Sequence, residues 1–107
     1  MHRSAVELNK IILSTVELLR RRVEIKCGYL FGSYAQGKAN KNSDIDLAFF
    51  SPAVDKMSLE RKIDVLSRTE EELGYEVEIH LYSDKCLRDA RQTNFYGYIL
   101  KTGRKIA

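Results

Sequence analysis

The sequence has little cysteine. Only Cys27 and Cys86 occur among its 107 residues, with no metal-like spacing between them. That excludes a disulfide scaffold and leaves two thiols, each in an apolar or mixed segment, where a free buried Cys is the expected state. No apolar run approaches the roughly 20 residues that cross a bilayer. The first residues lack the charged, apolar and small-residue order of a signal peptide. A reducing cytoplasm is the expected location, with no membrane partner. Histidine is equally sparse. His2 stands at the extreme N-terminus. His80 has no Cys or second His spaced to share a metal with it, so it is expected on the surface of its strand or against a phosphate or acceptor. Charge of one sign is also lacking: the formal net charge is +3, compatible with a nucleotide or RNA partner without arguing for one. Basic residues gather at Arg20, Arg21 and Arg22, and at Lys101, Arg104 and Lys105. They suit helix C-terminal turns that offset the macrodipole, or a short nucleic-acid patch.

What remains is an ordinary globular balance, 44% apolar and 31% charged. The length fits one domain, 1–107, with a modest core and no room for a second. No repeat and no linker-like stretch interrupts it. Ser4 and Glu7 form a capping-box pair ahead of Ala5, Leu8, Ile12, Val16 and Leu19, an apolar stripe at helical spacing. The period then shortens to two at Val23, Ile25, Cys27, Tyr29 and Phe31, as in a strand. A loop rich in Gly, Asn and Lys runs from Gly37 to Ser43, and a second strand from about Asp44 to Phe50 ends at Ser51-Pro52. A second helix is expected over Lys56 to Leu73, with Leu59, Ile63, Leu66 and Leu73 near one face and Gly74 as its stop. Tyr75 to Tyr82 alternates cleanly as a third strand. Ser83 or Asp84 can cap a helix after it, and a last helix is expected from Thr93 to Thr102, halted by Gly103. The order implies an α/β (α+β) class: a small mixed β-sheet covered by helices. The rings of Phe95, Tyr96 and Tyr98 suit either the core or an interface between copies.

Chemistry concentrates in Gly32-Ser33-Tyr34-Ala35-Gln36-Gly37 and Ser43-Asp44-Ile45-Asp46-Leu47. A glycine directly after an apolar strand lets the backbone turn tightly and approach a ligand. Ser33 adds a hydroxyl and an amide at the start of a helical turn that Gly37 ends. Such amides hold anions, triphosphate oxygens included, although Gly-Ser after a strand also makes an ordinary turn. Asp44 and Asp46, two apart on a strand, share a face while Ile45 and Leu47 point into the core. Two adjacent carboxylates repel, and the pair costs stability unless a cation lies between them. Magnesium takes carboxylate and phosphate oxygens. The alternative is a capping Asp44 and a solvated Asp46. Glu78, with Glu76 and His80, occupies the polar side of the third strand. Beside the Asp-bearing strand it could complete a three-carboxylate cluster for two metals, or act as general base. Otherwise these residues are the wet face of a half-covered sheet.

Together, Gly32-Ser33-x-x-x-Gly37 and Ser43-Asp44-Ile45-Asp46-Leu47 resemble the signature of the DNA polymerase beta-like nucleotidyltransferase superfamily. The length and helices resemble its smallest branch, the minimal nucleotidyltransferases, often the antitoxin partners of HEPN-domain ribonucleases. The resemblance runs from Ile25 through Leu81. It implies that Gly32 and Ser33 bind triphosphate, with Gly37 and Ser43 in the same nucleotide-binding motif, and that Asp44 and Asp46 ligate magnesium. It also implies a third carboxylate at Glu78, where the family usually has Asp. It further implies transfer of AMP from ATP onto a tyrosine of the partner toxin. Two other readings compete: a binding module that neutralises a ribonuclease by contact alone, and a sugar-nucleotide transferase suggested by Asp-x-Asp. The latter leaves Gly32-Ser33 without a role.

Overall fold

Ser4 opens the first helix: its side chain accepts from the Glu7 amide, and α1 runs over Ala5–Arg20. Glu7 in the first turn and Arg20 in the last both match the helix dipole. The buried stripe is Leu8, Ile11, Ile12, Thr15, Val16 and Leu19. Ala5, expected at its head, is exposed; the stripe starts at Leu8 and is widened by Ile11. Thr15 is buried with its polarity satisfied, because its hydroxyl donates to the Ile11 carbonyl at 2.8 Å. The structure, a computed structural model, describes residues 4–40, 43–91 and 94–107. His2 and Thr93 lie outside them.

The first strand is shorter than its alternation suggests. The amides of Arg22 and Val23 still bond to the Leu19 carbonyl, so the chain leaves the helix end only gradually. Lys26 first reaches the sheet, donating to the Phe50 carbonyl, and β1 covers Cys27–Phe31. Next, β2 covers Ile45–Ser51 and pairs with β1 antiparallel, setting Phe31 opposite Asp46. A 3₁₀ turn, Pro52–Lys56, ends it, with the Ser51 hydroxyl accepting from the Ala53 amide. Helix α2 starts later than expected, at Leu59, because Ser58 is its cap and Met57 is extended; it runs to Leu73. Gly74, at φ 72°, supplies the left-handed stop.

The inward face of α2 is Val65, Thr69 and Leu73. Leu59 and Ile63, expected there, are 73% and 55% exposed. Leu59 stands in the first turn, and Ile63, two residues before the buried Val65, points to the other side of the helix. Strand β3, Val77–Ser83, lies parallel to β2, and Tyr75 precedes it, half exposed. Ser83 caps a 3₁₀ turn over Asp84–Leu87. Helix α3, Phe95–Thr102, is capped by Asn94, whose side chain accepts from the Gly97 amide. A strand missing from the expectation comes next: β4, Arg104–Lys105, pairs antiparallel with Leu30 and Tyr29. Arg104 and Lys105 therefore close a sheet edge rather than a helix turn. Of the first basic cluster, Arg22 pairs with Glu72 and ties α1 to α2.

The mixed sheet has the order β3-β2-β1-β4, and its two faces are filled differently. Leu30, Ile45, Leu47, Phe49, Val77, Ile79 and Leu81 join the α1 and α2 residues in the main core. Cys27, Phe31, Ala48 and Phe50 face the other way and pack with Ile99 and Tyr96 of α3. Both cysteines are free, as expected, with Cys27 buried and Cys86 only partly so. No helix among the described residues is long and apolar enough to cross a membrane.

Full burial of Leu19 sets an expectation for its truncation. Leu19→Ala should cost about 2–5 kcal/mol of unfolding free energy, whereas Ile63→Ala should stay within about 0.5 kcal/mol. Urea denaturation of the two variants checks both.

Candidate functional site

Alternation along two paired strands builds the site. In β2 the odd residues Ile45, Leu47 and Phe49 enter the main core, so Asp46 must face the other side. In β3, Val77, Ile79 and Leu81 enter the same core, which turns Glu78 and His80 to that side too. The parallel register sets Asp46 beside Glu78 and Ala48 beside His80. One ligating atom from each of Asp46, Glu78 and His80 lies within 4.8 Å of the others.

Asp46 is the most perturbed carboxyl group. Burial, first, and then the hydrogen bond to Glu78 and the charges of Glu78 and Asp44, push it up to about 7. Without a cation beside it, this environment favours the protonated form of Asp46. The donor set of two crowded carboxylates and an imidazole fits a divalent cation, which would replace that proton.

Gly32 packs directly against this cluster. Its φ is 75°, and a Cβ there would sit 2.5 Å from Asp46 Oδ2. Only glycine allows the β1 end to turn away at this point. Residues 33–37 form a hydrogen-bonded turn and not the start of a helix. The Gln36 amide bonds to the Gly32 carbonyl at 3.2 Å and the Lys38 amide to the Ser33 carbonyl at 2.9 Å. Gly37 takes φ 70° at the end of this turn. Gln36 Nε2 donates to Tyr98 Oη at 2.8 Å, fastening the turn to α3. Ser43 folds the loop base, its Oγ accepting from the Asn40 amide at 2.8 Å.

Asp44 is placed differently from Asp46. It stands just ahead of β2, exposed, outside the compact group of three. With Glu70, Tyr75, Glu76, Val77 and Glu78 it lines an open acidic depression of about 520 Å³. Its charge still reaches Asp46.

For His80 the structure corrects the expected place on the strand surface. Its side chain is 27% exposed, and Nε2 lies 3.8 Å from Glu78 Oε1. The ring stacks on Tyr82 at 6.1 Å and meets Phe31 at 5.4 Å and Phe95 at 6.5 Å. The signal in the sequence is its spacing of two from Glu78, which puts both on one face. Cysteine and histidine spacing holds no such hint. Of the last-helix rings, Tyr96 packs into the second core, while Phe95 and Tyr98 stack on each other at 6.3 Å and are about 40–45% exposed.

The sequence matches the family described as "Polymerase beta, Nucleotidyltransferase" over residues 14–106. Among solved structures, one resembling it is a toxin-antitoxin with AMP-PNP, at 25% identity and TM-score 0.61, covering 88% of this chain and 70% of that one. Another is a mutant of the toxin-antitoxin MntA-HpeT, at 25% identity and TM-score 0.57, covering 86% and 68%. A third shares the fold at 20% identity and TM-score 0.59, covering 92% and 70%: a tri-AMPylated Shewanella oneidensis HEPN toxin in complex with MNT antitoxin. Among curated proteins none matches the chain.

A raised carboxyl pKa has a definite sign. The folded state holds the Asp46 proton more tightly than the unfolded chain, so its stabilising effect is complete below the ordinary value of 3.8 and is lost as pH rises through about 7. In chelator-containing buffer, the melting temperature of Asp46→Asn relative to the native protein should therefore climb between these pH values. A difference independent of pH would show that Asp46 carries no such shift. Gly32→Ala should cost at least about 1–2 kcal/mol from its left-handed backbone alone, and less in the Asp46→Gly background, where the contact to Oδ2 is gone; thermal melts of the cycle measure this.

Proposed function

We propose that this chain, which belongs to the polymerase beta nucleotidyltransferase family, moves AMP from ATP onto a hydroxyl of a protein partner. The acceptor is a tyrosine of a small helical HEPN toxin, and the modification makes this chain its antitoxin. The observation that carries this reading is the strand register that sets Asp46 against Glu78, with Gly32 pressed onto Asp46 Oδ2. Nothing in a purely structural sheet requires that crowding, and a magnesium-dependent phosphoryl site does. The toxin-antitoxin relative that holds AMP-PNP supports ATP as donor. The AMPylated HEPN toxin in complex with an antitoxin of the same fold agrees with the acceptor.

Asp44, Asp46 and Glu78 would hold magnesium, two ions in the family's arrangement. When bound, the metal offsets charge that develops on the phosphate oxygens and on the acceptor oxygen. The turn at Gly32 and Ser33 positions the triphosphate, with Gly37 and Ser43 fixing the loop's two ends. The acceptor hydroxyl oxygen attacks the α-phosphorus. The bond from that phosphorus to the bridging oxygen breaks, and pyrophosphate leaves along the opposite direction. The acceptor proton passes to Glu78, whose side chain is 58% exposed and open to the incoming group. Glu in place of the family's usual Asp adds one methylene, and in β3 it still meets Asp46. The open depression beside Asp44 and the exposed Phe95 and Tyr98 leave the acceptor side to be completed by the partner.

A second reading keeps the partner and drops the chemistry: neutralisation by contact alone, which the Glu78 replacement favours. Incubation with ATP, magnesium and a HEPN protein encoded beside this chain separates the two. Intact-mass spectrometry should show the partner gaining AMP. Inhibition of the ribonuclease without any added mass would sink the transfer reading. Asp46→Asn and Asp44→Asn should each reduce transfer by at least about 100-fold, more than loss of an outer metal partner costs, while the variants stay folded by circular dichroism. Glu78→Gln with unchanged turnover would remove Glu78 from the base role.

A further inference from the structure

His80 is outside the motif that the family resemblance supplies, yet it occupies the carboxylate cluster. Its Nε2 is the ring atom turned to Glu78, at 3.8 Å. The opposite atom, Nδ1, lies 3.4 Å from Tyr82 Oη. With Nδ1–H donating to that hydroxyl, Nε2 keeps its lone pair toward the cluster, the arrangement of a metal-ligating imidazole. Three rings fix the plane: Tyr82 stacks on it at an interplanar angle of 17°, and Phe31 and Phe95 close its flanks. The imidazole is therefore aimed before any ion arrives. Its reach agrees with the geometry, since ligating atoms of Asp46, Glu78 and His80 all fall within 4.8 Å of one another.

We propose that His80 Nε2 is a metal ligand beside Asp46 and Glu78, and that the site consequently favours a first-row transition ion such as Mn²⁺ over Mg²⁺. The inference rests on the metal site of the proposed function and adds its selectivity. Mg²⁺ is held by carboxylates, phosphates and water and gains little from nitrogen. Imidazole suits first-row ions such as Fe²⁺, Ni²⁺, Cu²⁺ and Zn²⁺, and affinity for a mixed nitrogen and oxygen site rises from Mn²⁺, the first of the series, to Cu²⁺. A donor set of two carboxylates and one fixed imidazole differs from an all-oxygen cluster in the ion it retains.

The test uses the full chain loaded with Mn²⁺ and no nucleotide. Electron spin-echo modulation should show ¹⁴N coupled to the bound Mn²⁺, and the coupling should vanish in His80→Gln. By calorimetry, His80→Gln should weaken Mn²⁺ binding by about tenfold or more, the scale of losing even an outer partner, and should leave Mg²⁺ binding within about twofold because that ion draws on oxygen. Bound Mn²⁺ without ¹⁴N coupling, still displaced by Asp46→Asn, would overturn the role of His80 and leave the carboxylate site standing. No Mn²⁺ binding by the native chain would overturn both. The native spectrum decides the first point even if the variant folds poorly.

Discussion

The parallel pairing of β2 with β3 is the constraint on which the rest of the site depends. One register decides two things at once. It delivers Ile45, Leu47, Phe49, Val77, Ile79 and Leu81 to the core under α1 and α2. It delivers Asp46, Glu78 and His80 to the opposite face. A slip of one residue in either strand would put a carboxylate into the apolar core and an apolar side chain onto the site. Hydrophobic burial thus holds the repelling carboxylates together: the burial and crowding that raise the Asp46 carboxyl to about 7 are maintained by apolar side chains on the far side of the sheet.

Support for the site comes from both ends of the chain. Helix α1 covers the main core and is tied to α2 through Arg22 and Glu72. Helix α3 covers the second face, and its Phe95 and Tyr98 reach to His80 and to the Gln36 turn. The short β4 then lies along β1, the strand that leads into Gly32. Gln36 fastens the turn after Gly32 to α3, and Ser43 accepts from the Asn40 amide.

Much of this is legible in the residues because it depends on local period and on punctuation. Ser4 as a cap, Gly74 as a left-handed stop and Ile45 and Leu47 as core residues are local statements, and local physics decides them. The misses share a different origin. The outward position of Leu59 and Ile63 depends on where α2 meets the sheet, which no helical period contains. Arg104 and Lys105 form a strand only because β1 offers them an edge. His80 reads as a surface residue because it stands on the polar side of its strand's alternation. Its neighbours in space, Phe31 and Phe95, come from two distant segments. The pairing of Asp46 with Glu78 is open in the sequence for the same reason: alternation gives the face of each residue, and only the sheet order makes the two strands adjacent.

The contact between Gly32 and Asp46 also bears on how such a chain can change over generations. A side chain at position 32 would have to occupy space 2.5 Å from Asp46 Oδ2. The two positions are therefore not free to drift independently, and the order of events matters. While the carboxylate stays, selection removes every branched or bulky newcomer at 32. Once Asp46 shrinks, the space opens, and only the left-handed backbone still resists. A descendant bearing a side chain at 32 is thus expected to have lost the carboxylate at 46 first. In a lineage that gave up the carboxylate cluster, that pair of replacements would be the readable scar.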